Sequence, residues 1–338
     1  RQPQERKDCT VTDRNKRVTL KDIALKAGTS ANTVSLALRD SPLLAEDTKK
    51  RIQQIARNMK YVNNALAGSL RSGYSHTIAI ILGDISNPLF AIKIKELEGY
   101  FRARNYKTLI LNTDEDPDQE LSAAQTVIGN HVDGVVLCPC QKSRQALDLM
   151  KEYNLPFVLM GRAAKEDDAF DSVVWNDRKG GMLATQYLIK RGCRRILMLG
   201  ASDYISSAAE RERGYRDALK EADLPFDSTL VCRCAPFQAD ISLQLDRLHA
   251  EGVEYDGLFC FSDLIAWEAA RYHRDHPLPL VGFDDIQAFY SVPFDMTSIG
   301  ANVKDEVRTV AELLLGRLAA SEPRPAVHRV IDTFLVSR

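Results

Sequence analysis

Apolar residues recur along the chain in two rhythms. From residue 17 to about 59 the period is helical and comes in short pieces. Leu20, Ile23, Ala24 and Ala27 share one face, Val34, Ala37 and Leu38 a second, and Ile52, Ile55, Ala56 and Met59 a third. Thr19, with Asp22 three residues on, carries the reciprocal N-cap signal, and Ser30 caps the next stretch. Gly28 ends the first helix, and Asp40-Ser41-Pro42 breaks the second. Three short helices follow, the first two joined by a tight glycine turn. Residues 63–75, rich in Asn, Ala, Ser and Gly, read as a linker able to become a short helix.

From Thr77 the rhythm changes. Strands are predicted at Ile78–Leu82, Thr108–Asn112, Gly134–Leu137, Phe157–Met160, Ser172–Val174, Arg195–Leu199, Gly257–Phe261 and Pro279–Phe283. Amphipathic stretches lie between most of them, among them Phe90–Arg104, Asp118–Gly129, Gly180–Arg191 and Glu210–Ala222. Such alternation predicts parallel sheets with helices on both faces. The elements are too many for one open sheet. The fold class is therefore α/β, a three-helix head followed by two doubly wound subdomains with a cleft between them.

Composition adds three limits. In 338 residues, 45% hydrophobic, no apolar run is long enough to span a bilayer, so no membrane role is expected. Residues 1–16 are polar and lack the apolar segment of a secretory signal. Seven cysteines, an odd number without a signal, fit a reducing cytoplasm better than a disulfide framework. Charge is split along the chain. Residues 1–76 hold 15 Lys/Arg against 7 Asp/Glu, a balance of 15 − 7 = +8, so the total of −1 leaves −9 for the rest. A basic head on an acidic body points to a polyanionic partner for the head.

The segment 18–38 is helix, glycine turn, helix, the pattern that lays its second helix in the DNA major groove. Ala31, Asn32 and Ser35 would project there, with Leu36 behind them. Asn32 suits a bidentate contact to adenine, Ser35 a base or phosphate, and Ala31 a thymine methyl. Thr19, Lys21, Thr29 and Thr33 are placed for phosphates, beside the cap Ser30. In the body, polar clusters follow predicted strands, where such sheets bind ligands. These are Asp84-Ile-Ser86-Asn87-Pro-Leu-Phe90, Arg211, Ser262-Asp263 and Asp284-Asp285. Arg and Asp offer directional bonds to a sugar, and Phe90 a stacking face. Catalysis has no comparable signal: there is no Gly-x-Gly-x-x-Gly after a strand and no Gly-x-Ser-x-Gly elbow. Cys138-Pro-Cys140 and Cys232-Arg-Cys234 lack the usual Cys-x-x-Cys spacing, so neither metal nor cofactor is expected.

Val18-Thr-x-x-Asp-Ile-Ala-x-x-Ala-Gly28, Ser30-x-x-Thr-Val-Ser35, Tyr61 and Asn64-x-x-Ala67-x-x-Leu70 together resemble the LacI/GalR family of bacterial transcription regulators. The likeness runs from residue 17 to the C-terminus. It implies a disordered extension over 1–16, a DNA-binding domain over 17–62, a hinge over 63–75 and an effector-binding and dimerisation body over 76–338. Within the body it implies one subdomain of about 76–174 and 303–322, and a second of about 175–302 and 323–338. Hinge helices of a homodimer would lie in the minor groove, Leu70 wedging into a base step and Ala67 packing on its partner. The body would be periplasmic-binding-protein-like. Arg211 and Asp284 match the family's effector-binding pair, Phe90 a ring-packing aromatic, and Phe237 lies near another. Four departures stand out. Leu36 replaces an Arg, implying an A/T-shifted operator. Ser262 replaces an Asn, Gly161 a cleft Asp, and Asn176-Asp177 inverts the usual order.

The expected function is a cytoplasmic repressor, homodimeric and without a tetramer-forming tail, reading a pseudo-palindromic operator. A small-molecule effector, expected to be a carbohydrate, would act through Ser86, Asn87, Phe90, Arg211, Phe237, Ser262, Asp263 and Asp284. The competing reading is a solute-binding protein for uptake.

Overall fold

The computed structural model describes residues 18–62, 74–164, 169–234, 241–290, 295–320, 322 and 324–338. Asn64, Ala67, Leu70 and Phe237 lie outside the described residues. The chain divides into two compact units at residues 71 and 72.

The first unit contains α1 (Leu20–Ala27), α2 (Ala31–Leu38) and α3 (Glu46–Asn58). Thr19 and Asp22 form the capping box, each side chain meeting the other's backbone N–H. Gly28 ends α1 at φ 63°, a left-handed conformation that costs glycine little. The Ser30 hydroxyl accepts from Thr33 N at 3.1 Å and starts α2. Ile23, Val34 and Ile52, one from each helix, are fully buried at the centre of this small core. Gln53 on α3 donates to the Ala37 carbonyl at 3.0 Å, tying the third helix to the second.

The second unit has two lobes. The first-lobe sheet is formed by β1 (Thr77–Leu82), β2 (Lys107–Asn112), β3 (Gly134–Leu137), β4 (Phe157–Met160), β5 (Ser172–Trp175) and β11 (His328–Ile331). Its order is β2-β1-β3-β4-β5-β11, all parallel. The second-lobe sheet contains β6 (Ile196–Ala201), β7 (Val231–Cys234), β8 (Gly257–Cys260), β9 (Leu280–Phe283), β10 (Ser298–Ala301) and β12 (Thr333–Val336). Its order is β7-β6-β8-β9-β10-β12, with β12 antiparallel to β10. The helices are α4 (Pro88–Arg102), α5 (Pro117–Gly129), α6 (Gln145–Glu152), α7 (Asp177–Lys190), α8 (Ser206–Glu221), α9 (Ile241–Ala250), α10 (Asp263–Tyr272) and α11 (Val303–Leu318).

Central strands are apolar throughout because both faces are covered. In β1, Ile78, Ile80 and Leu82 enter one apolar cluster while Ala79 and Ile81 enter another. In β6, Ile196 and Met198 face one way, and Leu197, Leu199 and Ala201 the other.

The chain crosses between the lobes at Asn176, Asn302 and Asp332, one residue each time. The C-terminal tail corrects one expected boundary. Residues 323–338 do not all belong to the second subdomain, because β11 pairs with β5 and only β12 joins the second sheet.

Candidate functional site

In each sheet the strand order reverses beside the first strand, and loops diverge there to leave a crevice. The two crevices face one another across a narrow cleft. Asn87, Leu89, Phe90, Lys93, Cys138, Gly161 and Arg162 line it from the first lobe, with Trp175 at the crossing. Asp177, Ser207, Arg211, Phe261, Ser262 and Asp284 line it from the second.

Local sequence explains these positions. Asn87 caps α4, its Oδ1 accepting from Leu89 N at 3.0 Å, and Pro88 takes the first helical place. That turn aims Phe90 inward. Ser262 caps α10, accepting from Ile265 N at 3.3 Å. Arg211 lies on the buried face of α8. Its Nε donates to Asp177 Oδ1 at 2.8 Å and its Nη1 to the Phe261 carbonyl. The guanidinium sits 3.5 Å from the Phe283 ring centroid and 4.4 Å from that of Phe261. Burial pushes the Asp177 carboxyl up, and Arg211 opposes this.

Asp284 and Asp285 follow β9 with φ of 113° and 48°. Two successive non-glycine residues in this region store strain, a feature that concentrates at ligand sites. The turn is fixed by Asp284 N on the Ile299 carbonyl (2.8 Å) and Asp285 N on Ser298 Oγ (3.1 Å). It delivers the Asp284 carboxylate to the cleft, where burial raises its pKa well above the ordinary value against the pull of Arg211.

Gln141, in the loop after β3, reaches across the mouth of the cleft. Its Oε1 accepts from Ser206 N of the second lobe at 2.8 Å, and its Nε2 donates to the Ala163 carbonyl of the first.

The structure brings Asn87, Phe90, Arg211, Ser262 and Asp284 to one cavity wall. It does not bring Ser86 or Asp263 to the cavity wall. Ser86 is tied to Asp84 Oδ1 through its N and Oγ, at 2.8 and 2.6 Å. Asp263 is fully buried, accepting from Ser298 Oγ at 2.6 Å and Ile286 N at 2.7 Å. It braces the Asp284 turn from behind.

Burial lifts the Asp263 carboxyl to about 7, against those two hydrogen bonds. Between pH 4 and 7 the folded chain thus holds a proton that the unfolded chain releases. Raising the pH through this window favours unfolding. Asp263→Asn is expected to remove this slope, which amounts to roughly a few kcal/mol. Thermal melts of both proteins at pH 5 and 7.5 check it; parallel pH curves would refute the assignment.

Sequence reasoning missed Lys93, Arg162, Trp175, Ser207 and Phe261. Lys93 had a signal: it lies among Leu89, Ile92, Ile94 and Leu97 on the buried side of α4. Arg162 lies two residues past the end of β4 and is held by Glu115 through two bonds of 2.7 and 2.9 Å. The two Cys-x-Cys pairs lie in different lobes, and no group of metal-ligating side chains occurs among the described residues.

In the head, Asn32, Lys21, Thr19 and Ser30 are exposed, while Thr29, Ala31, Thr33 and Leu36 are half-buried. Ser35, expected to reach the groove, is only 8% exposed and belongs to the buried side of α2.

A helix-turn-helix unit followed by a hinged two-lobe body defines a ligand-binding transcriptional regulator. Residues 19–64 match the model for bacterial regulatory proteins of the lacI family. Residues 75–295 match that for periplasmic binding proteins and the sugar binding domain of the LacI family. The chain belongs to the LacI family. It is 29% identical over 279 residues to the HTH-type transcriptional regulator MalR of Streptococcus pneumoniae serotype 4 (strain ATCC BAA-334 / TIGR4), covering 80% of this chain and 84% of that one. A complex of the transcriptional regulator CelR with cellobiose has the same fold, with a TM-score of 0.72, 24% identity, and 95% and 99% of the two chains covered. So does the lac repressor dimer bound to operator and the anti-inducer ONPF, with a TM-score of 0.81, 17% identity, and 96% and 98% covered. No helix among the described residues is long and apolar enough to cross a membrane.

Proposed function

We propose that this regulator is a cytoplasmic, homodimeric repressor whose hold on a two-fold operator is set by a carbohydrate in the cleft. The observation that carries this reading is the meeting of Arg211 and Asp284 with Phe90 at the facing crevices. A fixed donor, an acceptor and an aromatic face suit a sugar ring. CelR, of the same fold, binds cellobiose. A solute-binding protein for uptake has no use for the matched DNA-binding domain.

One head covers a short half-site, so a pair related by two-fold symmetry reads a palindrome. Asn32 contacts adenine in each half-site, and Ala31 and Leu36 favour thymine methyls, shifting the operator toward A/T. Thr19, Lys21, Thr29, Ser30 and Thr33 hold phosphates. Asn64, Ala67 and Leu70 belong to the hinge, which folds on the minor groove. Effector binding changes the angle between lobes and so biases the hinge.

The test is selection from a randomised duplex pool, sequenced with and without a panel of sugars. A two-fold motif with a central pyrimidine–purine step, and a sugar that shifts the affinity, are expected. Salt-sensitive binding with no enriched motif would overturn the reading. Asn32→Ala should weaken the selected operator by about 1–3 kcal/mol while leaving binding to unrelated duplex unchanged. Equal loss on both duplexes would assign Asn32 to phosphate contact instead.

A further inference from the structure

Lys93 is a charge on the cavity wall to which the effector reading gives no task. Lys93 is only 4% exposed and borders the cleft beside Gly161. Glu306 Oε1 accepts one of its three N–H bonds at 2.9 Å. The Trp175 ring centroid lies 4.7 Å from Nζ. The second Glu306 oxygen accepts from Trp175 Nε1 at 2.7 Å, so protein engages both Glu306 oxygens, whereas Glu306 takes only one of the three Lys93 N–H bonds. A Cβ at Gly161 would stand 3.8 Å from Nζ, and Gly161 has a φ of 75° that disfavours other side chains. The missing side chain keeps the ammonium open to the cavity.

Charge then decides what fits. Each cation on the wall has its own carboxylate: Lys93 has Glu306, Arg162 has Glu115 and Arg211 has Asp177. Asp284 is left over, with no ion pair among the described residues. An anionic ligand would add a buried negative charge that no spare cation meets, at a desolvation cost that pairing does not offset. A polyol adds no charge, and each hydroxyl both donates and accepts.

Resting on the effector reading above, we propose that Lys93 is a specificity determinant of the cleft. It donates to a hydroxyl or ring oxygen of an uncharged polyhydroxylated effector whose other hydroxyls donate to Asp284. Carboxylated and phosphorylated sugars are rejected.

Isothermal titration of the full chain tests this with D-glucose, maltose, cellobiose, D-gluconate, D-glucuronate and glucose 6-phosphate. An uncharged member should bind roughly tenfold or more tightly than the charged ones. Lys93→Met alone strands Glu306, so it is paired with Glu306→Gln, which keeps an acceptor for Trp175. In that double variant, melting within a few degrees of the parent, the uncharged sugar should lose about tenfold or more. Unchanged affinity there overturns the role of Lys93 alone. Tighter binding of a charged sugar overturns the ligand class, a result that needs no variant. Binding of none at about 10 mM, where even a millimolar Kd would register, overturns the carbohydrate reading itself.

Discussion

Gly214→Ala is expected to destabilise the body, although alanine is the better helix former. Helices α7 and α8 cross with their backbones touching. A Cβ at Gly214 would overlap the Arg178 carbonyl oxygen and lie 2.6 Å from Met182 N. Gly181 faces the Arg211 backbone in the same way, with a Cβ placed 2.9 Å from its carbonyl carbon. Backbone atoms cannot rotate aside, so the helices must separate. Overpacking of this kind costs about 3 kcal/mol or more, against about 1 kcal/mol gained in helix propensity. The net loss of about 2 kcal/mol or more lowers the melting temperature by several degrees. Gly99 and Gly316 provide the contrast. Both lie inside helices with nothing within 4 Å of a built Cβ, so alanine there should be neutral or stabilising. A Gly214→Ala protein that melts with the parent would show that the crossing yields more easily than its geometry implies. Because Arg211 sits on the same crossing, sugar affinity should fall with stability.

Arg211→Leu should cost more. The guanidinium is the hydrogen-bond partner of the buried Asp177 and packs between Phe261 and Phe283. Removing it leaves a carboxylate buried without its counter-charge, a loss on the order of 3–5 kcal/mol. Much of that loss lies in the stranded acid rather than in the pair. Asp177→Asn in the same chain is therefore expected to restore at least half of the stability. It should not restore sugar binding, since the donor is gone. Chemical denaturation reads the first effect and titration with sugar the second. If the double variant regains binding, Arg211 acts only by holding the fold.

The legible parts of this chain were those where pattern, cap and loop agreed. Thr19 with Asp22, Gly28 and Ser30 marked the head's first two helices because local hydrogen bonds alone set those boundaries. Apart from the short inner strand β10, Ser298-Ile-Gly-Ala301, which was missed, the strands of the two sheet centres were legible because both faces are covered and the run is apolar. The edges were not. β11 is His328-Arg-Val-Ile331, three of its four residues exposed, and nothing in that run distinguishes a strand from a loop. β12 pairs antiparallel with β10, a partner more than thirty residues away, so its lobe is set by tertiary pairing. Within the cleft, residues following obvious strand ends were found. Those whose role depends on a distant partner were missed. Lys93 meets Glu306 from another helix, and Trp175 meets both. Asp263 misled because a carboxylate at a strand end reads as a ligand group, whereas here it turns backward to Ser298.

The three lobe crossings lie side by side, which restricts how the body moves. Ile331 pairs with Trp175 and Ala301 with Thr333, so Asn176, Asp332 and Asn302 stand next to one another. Asn176 N donates to the Ile331 carbonyl at 2.9 Å, and Thr333 Oγ1 to the Asn176 carbonyl at 3.0 Å, stitching two of the straps together. Three abreast resist sliding and twisting but still allow bending. Motion of the lobes is thereby reduced to a single angle, and the Gln141–Ser206 bond joins the lobes at one value of it. What the cleft reports to the rest of the chain is then one scalar quantity, and ligands of different shape are distinguished only by the angle at which each lets the lobes rest.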